Sequence, residues 1–472
     1  MTPAGAHVMV LWGALAAGAL DPRVGSAEPS FLPHPRHIAR AGDSTPGESP
    51  SRDALALLRR EVTKAFTNGQ YDRAVRLLEQ FPAKQDLPQE LLRLGLHSYL
   101  KLGRPDAAFA VYIRMVPAGR PEKPSLLREV ALGFLTTGVR HREEHVRLAA
   151  YAALADLHRQ DLVPVLEDGL LDPSIMVRAR AADAMGRLNP KAVSAGLARA
   201  LDDPAPSVRI AALNALAAPG HQGFLEKVSR IAGSADGAVH VFALAALARL
   251  GKRQALNEIV NATAEPDANI RMAAVGALGR LKPPNALTIL SQSIYDPDPA
   301  VRAFAAGALG ELGDAAGAAA LTHALGDESA QVRSVAAASL GRLGLAHTRP
   351  VLWQAARDPA EVVRAGALEG LLRLGDTEAI LVASELAKRP DPSVRSAAAQ
   401  ALGLPGNKKA LPVLAELLRD QQPQPRLTAA RALGKIAAPE GIPLLKKGLQ
   451  DTDPAVQMAA AGSLAHILAA TR

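Results

Sequence analysis

The sequence predicts an all-α protein, a right-handed solenoid built from tandem helix pairs. A Val-Arg pair recurs every 31 residues from Val146 to Val456, with few substitutions, and apolar residues follow it at spacings of three and four. Only 3% of the 472 residues are aromatic, so the core must consist of Ala, Leu and Val. The 35 prolines and 38 glycines are scattered at near-regular intervals, as expected for turns between short helices. Together these features favour a repeated helical unit over several separate globular domains.

The first fifty residues are predicted to lie outside the repeats. Positions 8–20 form an uncharged apolar run of 13 residues, and a Gly-Ser-Ala triplet follows at 25–27. Residues 1–27 therefore indicate a signal peptide and an exported protein, periplasmic or extracellular, with no membrane span after cleavage. No Lys or Arg precedes the run, so an uncleaved membrane anchor is the alternative. Residues 28–50 are rich in Pro, Gly and Ser, which predicts a flexible linker.

Residues 51–140 contain a different helical repeat. Gly69 and Gly103 lie 34 residues apart, and so do Ala74 and Ala108. Gly permits a tight turn between helices, and Ala lets neighbouring helices approach closely. On these residues and this spacing the segment resembles about two tetratricopeptide repeats. The resemblance implies two helix pairs ahead of the longer array.

Residues 141–472 contain eleven units of 31 residues in one unbroken register. We call the Arg of the Val-Arg pair position 0 of its unit. Ala stands at position 3 in all eleven units, from Ala150 to Ala460, and the apolar positions form one stripe along a helix. An acid stands six residues before position 0 in eight units: Asp172, Asp203, Glu265, Asp296, Asp327, Asp358, Asp420 and Asp451. An acid with a nearby Pro suits a helix start, and an upstream amphipathic stretch predicts a second helix in each unit.

The pattern Asp-Pro-x-x-x-Val-Arg-x-x-Ala-Ala-x-Ala-Leu-Gly-x-Leu resembles the short HEAT repeats related to phycobilin lyase subunits. The resemblance implies a two-helix unit that cannot bury its own apolar face and stacks on its neighbours. Since helix layers pack ~8–10 Å apart, eleven units predict a rod or arc on the order of 100 Å long.

The regular Asp and Arg residues are predicted to form a structural ladder. In HEAT-like arrays these two side chains bond each other and the turns between repeats, and His240 and Gln457 replace the Arg here without loss of the repeat. The predicted ladder residues are Asp172, Arg178, Asp203, Arg209, Asp296, Arg302, Asp327, Arg333, Asp358 and Arg364.

No catalytic, cofactor or metal site is predicted. The chain has no Cys, no Gly-rich phosphate loop and no His-Glu dipeptide of the kind that HEAT-like iron hydroxylases carry as ligands. Residues 141–145 match the H-x-x-E-H spelling of a zinc-peptidase motif. Because this match straddles a predicted turn, His141 and His145 need not share a face, and we expect a solvated turn instead.

Recognition must use the variable positions of the repeat. Positions 2, 5 and 9 lie together on the side of the helix away from the apolar stripe. In the middle of the array they predict a shallow groove for an apolar, acidic-edged peptide, with these candidate residues: Phe242, Arg249, Arg280, Phe304, Val335 and Arg342. The alternative is that the Phe rings pack between layers and the Arg row complements helix C-termini.

The charge distribution gives little support to nucleic-acid binding. Residues 51–140 carry a net charge of +6, whereas residues 141–472 carry only +3 of the formal total of +8. A protein that grips phosphates needs a concentrated basic stripe, and the linear sequence does not show one.

The sequence therefore favours a non-catalytic scaffold or adaptor of the cell envelope that binds protein partners. A phycobilin-lyase-like or hydroxylase-type enzyme subunit and a nucleic-acid-binding solenoid are the alternatives. The last unit is as apolar as the interior ones, with Leu464, Ile467 and Leu468, although a terminal repeat normally has a polar outer face. We therefore expect that this end meets a partner, self-associates with a second copy, or frays.

Overall fold

The computed structural model describes residues 52–81, 87–117, 119–188, 190–216 and 221–470. Within these ranges the chain forms α-helices and short 3₁₀ turns and no β-strand. The predicted signal peptide and linker lie outside the described residues. The described chain divides into two units, the first ending at Lys123 and the second beginning at Pro124.

The first unit consists of two helical hairpins. Gly69 and Gly103 close the corresponding turns with φ values of 70° and 67°, a left-handed conformation that costs Gly little. Leu58, Val62 and Leu91 are buried at the centre of a small core. Its helices are α1 Arg52–Thr67, α2 Tyr71–Glu79, α3 Gln89–Lys101 and α4 Pro105–Met115.

The second unit consists of eleven helix pairs, which we number as repeats 1 to 11. It begins at Pro124 rather than at residue 141, because α5 is the first helix of repeat 1. The pairs are α5 Pro124–Gly138 and α6 Glu144–Ala155; α7 Val163–Gly169 and α8 Ile175–Met185; α9 Pro190–Ala200 and α10 Pro206–Ala215; α11 Leu225–Ser234 and α12 Gly237–Arg249; α13 Ala255–Asn261 and α14 Ala268–Leu281; α15 Ala286–Ser293 and α16 Pro299–Leu312; α17 Ala318–Ala324 and α18 Ala330–Leu343; α19 Arg349–Ala355 and α20 Glu361–Arg373; α21 Ala379–Leu386 and α22 Pro392–Leu402; α23 Leu411–Leu417 and α24 Pro423–Ile436; and α25 Ile442–Gly448 and α26 Pro454–Ala470.

Helix α16 shows how the sequence defines a repeat. Asp298 precedes the helix and its side chain accepts the backbone N–H of Ala300, while Pro299 occupies the first turn. Gly313 ends the helix with a φ of 75°, which L side chains rarely adopt. These signals, repeated with variation, separate one short helix from the next.

The second helices of successive pairs pack side by side through small residues. The position 3 Ala is fully buried in all eleven repeats. The Gly at position 8 faces position 6 of the next repeat at very short range: a Cβ added at Gly310 would lie 2.7 Å from the Cβ of Ser339. Any larger residue at these positions would hold neighbouring helices apart.

The array closes on itself. Helix α26 of repeat 11 packs against both α5 and α6 of repeat 1. A Cβ added at Gly462 would lie 2.5 Å from the Cβ of Ala153, so the closing contact is again made between two small residues. The second helix of each pair, which is every other helix from α6 to α26, belongs to what we call the repeat ring. We call the contact between repeats 11 and 1 its seam. A rod or arc was expected, but the end of the array returns to its start.

Closure explains the apolar last repeat. Ile467 is fully buried and Leu468 nearly so, because α26 lies among α5, α6, α24 and α25. A helix that is apolar all round is one that is buried all round. The expectation that a partner or a second copy covers this end is therefore corrected, since repeat 1 covers it.

Among the described helices, none combines the length and the apolar character that crossing a membrane requires.

Candidate ligand-binding face

The ladder arginines bind the acid of the next repeat. In seven repeats the Nε and Nη2 of the position 0 Arg donate to the two carboxylate oxygens of the Asp 25 residues later, at 2.6–3.1 Å. The Nη1 donates to two backbone carbonyls in the turn between the two helices of its own repeat, as Arg302 does to Asp296 and Pro297. The pairs are Arg147–Asp172, Arg178–Asp203, Arg271–Asp296, Arg302–Asp327, Arg333–Asp358, Arg395–Asp420 and Arg426–Asp451.

Two predicted ladder residues bind differently. Arg209 donates to the carbonyls of Asp203 and Pro204, but the next repeat offers Ser234 in place of an acid. Arg364 donates to Glu361 of its own repeat, because residue 389 is an Arg. Both keep the bonds to their own turn and lack the bridge to the next repeat.

These hydrogen bonds keep the Arg and Asp side chains of the ladder ionised. The hydrogen bond from Arg333 lowers the pKa of Asp358, although burial opposes the effect. The hydrogen bond to Asp327 raises the pKa of Arg302. Both groups therefore stay ionised and paired at neutral pH, which suits stacking and does not suit acid-base chemistry.

The H-x-x-E-H residues belong to the same turn system. His141 stands where other repeats have the ladder Asp, and its Nδ1 accepts the backbone N–H of Glu143 as the Asp carboxylate does elsewhere. His145 lies within α6, and its nearest acid is Glu143 at 3.5 Å. Across the described part of the chain, no three His, Asp or Glu side chains are grouped to hold a metal ion.

Positions 2, 5 and 9 form the inner face of the repeat ring. The charges of Glu369 in repeat 8 and Asp156 in repeat 1 both act on Lys435 in repeat 10. Likewise Arg180 in repeat 2 acts on Arg431 in repeat 10. Side chains from both sides of the seam therefore face a common space.

The six predicted groove residues lie on this face, but they do not form an open apolar groove. Phe242 and Phe304 are buried, at 4% and 8% exposure. Val335, Arg249, Arg280 and Arg342 are half-buried. The guanidinium of Arg280 lies over the Phe242 ring, 5.3 Å from its centre. The open apolar groove is corrected, because the two Phe side chains are packed among the helices, as in the alternative. Partner binding by Val335 and the three arginines stays a prediction.

Arg280 is an arginine without an acid. Burial lowers its pKa to about 10, the nearby charge of Arg249 acts in the same direction, and Glu311 opposes both. Its Nε and Nη2 have no hydrogen-bond partner among the described residues. Burial also lowers the pKa of Arg249. A buried cation without a partner is costly, so this pair favours an anion nearby.

The sequence prediction missed a second group of cations, Arg431 and Lys435. Burial, and then the charge of Arg180, lowers the pKa of Arg431 to about 10. Burial lowers the pKa of Lys435 as well. Neither side chain makes an ion pair with any described residue. Arg180 and Arg431 are far apart in sequence, so only closure of the ring could reveal this group.

Most carboxylates on the inner face are already neutralised. Asp156 pairs with Arg187 at 3.3 Å, and Glu369 pairs with Arg373 at 3.0 Å. Asp183 lies 3.9 Å from both Arg180 and Arg187. Among the described inner-face positions, the cations that make no ion pair are Arg249, Arg280, Arg342, Arg431 and Lys435. The inner face therefore carries unbalanced positive charge.

The family of the repeats follows from a comparison with family models. The model described as HEAT repeats matches residues 163–239, 225–296, 290–372, 349–425 and 415–469. These overlapping matches cover more than half of the chain. The chain belongs to the HEAT-repeat family. The two-helix units of the ring are HEAT repeats, and the ladder and small-residue contacts are what stacks them.

Several solved structures resemble this HEAT-repeat chain. Escherichia coli YibA is 18% identical, with a TM-score of 0.32, over 60% of this chain and 94% of that one. Human deoxyhypusine hydroxylase is 22% identical, with a TM-score of 0.26, over 52% and 96%. The CpcE–CpcF complex of phycocyanin lyase from Nostoc is 23% identical, with a TM-score of 0.32, over 56% and 94%. No curated protein matches in sequence. At these identities and TM-scores the likeness carries no functional information.

Proposed function

We propose that the protein is a non-catalytic scaffold of the cell envelope that binds a protein partner on the inner face of its HEAT-repeat ring. The observation that carries this proposal is the set of five unpaired cations on that face. The constant residues of the repeat are used in stacking, so binding is left to the variable positions.

The chemistry of the inner face suits binding better than catalysis. Its acids Asp156 and Glu369 are paired with arginines, the charge of Glu311 acts on Arg280, and the described residues offer no metal-binding group. A lyase-like or hydroxylase-like activity would need a nucleophile, a ligand set or an acid-base pair free of the stacking bonds. We therefore propose the scaffold function first and the enzyme-subunit function as the alternative.

The first unit gives the scaffold a second surface. Its two hairpins, with matching left-handed glycines 34 residues apart, support the resemblance to tetratricopeptide repeats. A cavity of about 820 Å³ near the end of this unit is lined by Leu92, Met115 and Pro121, with Arg114 and Arg120 beside them. Gln89, Glu122 and Lys123 also line this cavity, and such a mixed apolar and polar lining suits a peptide. The 31-residue spacing likewise supports kinship with the short, phycobilin-lyase-like HEAT type.

The envelope location rests on the N-terminal sequence. The apolar run at 8–20 and the small residues at 25–27 support export. Fractionation of cells expressing the tagged full chain tests this part. We expect it in the envelope or outside the cell, and a purely cytosolic protein would contradict the assignment.

Affinity capture from native envelope tests the binding role. The full chain should recover a reproducible partner, identified by mass spectrometry. The variant Arg249→Gln/Arg342→Gln should recover less of it, because two unpaired inner-face cations are removed. A matched control, Arg357→Gln/Arg419→Gln, removes two exposed cations from the turns between helices and should leave capture unchanged. Equal capture by all three proteins would contradict an inner-face role.

A further inference from the structure

The strongest unassigned feature of the ring lies across its seam. Arg431 and Lys435 of repeat 10 face Arg180 of repeat 2, and neither has an ion-pair partner among described residues. Arg180 is 3.9 Å from Asp183, a long pair. Lys435 is exposed and Arg431 and Arg180 are half-buried, so an anion from solution can reach them. The like charges repel each other, and only the charge of Asp156 opposes this at Arg431, so an added anion would stabilise the group.

Small residues occupy the positions of the inner face between these cations. Repeats 11 and 1 separate repeat 10 from repeat 2, and their positions 2 and 5 are Ala459, Gly462, Ala149 and Ala152. None of these side chains extends beyond Cβ. A ligand could therefore lie on this floor with cations on both sides.

The ladder shows which anion an arginine prefers in this protein. Seven arginines grip a carboxylate with Nε and Nη2 together, a geometry that matches a planar guanidinium to a planar carboxylate. Arg431 offers the same fork with no acid bound to it. An Asp or Glu side chain is thus the ligand group that fits.

The neighbouring charges favour spaced carboxylates over a dense polyanion. Asp156 and Glu369 are close enough to act on Lys435, so they would repel a continuous row of phosphates. Positions 2, 5 and 9 of repeats 8, 10, 11, 1 and 2 carry no Phe, Tyr or Trp on which nucleic-acid bases could stack. A polypeptide with acidic side chains can place its charges between these acids.

We propose that Arg431, Lys435 and Arg180 form a site on the inner face that binds an acidic polypeptide segment through its carboxylates. This inference rests on the proposed scaffold function and names the chemistry of the segment. The lowered pKa of Arg431 agrees with it, because an unpaired cation in that place is destabilised.

Fluorescence anisotropy with labelled poly-L-glutamate tests the site on the purified full chain. We expect saturable binding that Arg431→Gln/Lys435→Gln weakens by about tenfold or more, as for loss of close charge pairs. The control Arg357→Gln/Arg419→Gln changes the net charge equally and should bind as the wild type does. Equal weakening by both variants would mean non-specific attraction and would overturn the site.

Single-stranded DNA with the same net charge as the poly-L-glutamate tests the alternative ligand class, nucleic acid. It should bind more weakly than poly-L-glutamate, and tighter binding that is lost in Arg431→Gln/Lys435→Gln would assign the site to nucleic acid instead. Absence of poly-L-glutamate binding to the wild type would also reject the proposal. Partner capture from envelope that survives in Arg431→Gln/Lys435→Gln would reject this site and leave the scaffold function standing.

Discussion

At the residue scale, an Arg–Asp ion pair connects a repeat to the following one at seven junctions between repeats. The pair Arg302–Asp327 is nearly buried and doubly hydrogen-bonded, and Arg302 also binds two backbone carbonyls. The spacing of Asp and Arg predicted a structural ladder. Arg209 and Arg364 were predicted to belong to it, but Ser234 and Arg389 stand where their acids would be, so these two lack the bridge.

Arg302→Ala should lower the free energy of unfolding by on the order of 3 kcal/mol, since it leaves Asp327 buried and unpaired. Arg209→Ala is the matched control, because Arg209 makes the carbonyl bonds without the bridge. Its expected loss is about 1 kcal/mol. Urea titrations followed by circular dichroism measure both, and equal losses would show that the bridge contributes nothing.

Acid should weaken the ladder. The pKa of Asp358 is lowered by Arg333, and those of Asp203, Asp327 and Asp420 are also lowered, because bonds to Arg and backbone N–H outweigh burial. A carboxyl whose folded pKa lies below its unfolded value of about 3.9 adds stability above that pH. Stability should therefore fall as the pH drops below about 4 and through the folded pKa values. Thermal unfolding across this range tests the sign, and a stability that rises with acid would contradict it.

Arg431→Gln should raise the melting temperature at neutral pH. Its folded pKa of about 10 lies below the ordinary value, so the charged form is disfavoured in the folded state and removing the charge relieves the strain. Arg357→Gln, at an exposed position, should change it little. A lower melting temperature for Arg431→Gln would indicate that the residue is a stacking element.

At the element scale, the spacing of small residues sets how closely neighbouring helices approach. The sequence predicted the eleven helix pairs and the buried Ala at position 3, because that periodicity is local. It did not predict that Gly341 lies against the backbone of Gly370, since this contact joins helices α18 and α20 of different repeats. Such a contact depends on how the repeats stack.

Gly341→Ala should destabilise the protein although Ala favours helices. A Cβ there would overlap the Cα of Gly370, and backbone gives way less readily than a side chain. We expect a loss of about 1–3 kcal/mol. Gly233→Ala in α11 is the control, because nothing lies near its added Cβ, and it should be neutral or stabilising. Differential scanning calorimetry compares them, and two stabilised variants would refute the close approach.

At the scale of the whole array, curvature was the property that the sequence left open. Each repeat adds a small rotation that no single residue specifies, and the sum over eleven repeats decides between an arc and a ring. The sequence nevertheless differs at the seam. His141 replaces the usual Asp and Gln457 replaces the usual Arg at the two ladder positions that would meet there. Closure through repeats 11 and 1 also brings Arg180 of repeat 2 close enough to act on Arg431 of repeat 10, which the linear sequence does not show.

The distance across the seam tests closure most directly. The natural chain has no Cys, so spin labels attach only at Cys residues introduced by substitution. Arg142→Cys and Thr452→Cys label exposed, equivalent turn positions in repeats 1 and 11. Gln421→Cys with Thr452→Cys labels two successive repeats, 10 and 11, as the control. The account predicts that the two pairs give similar dipolar distances, one repeat spacing of ~10 Å plus the label arms. A seam distance many times longer, approaching the ~100 Å of an open arc, would contradict it.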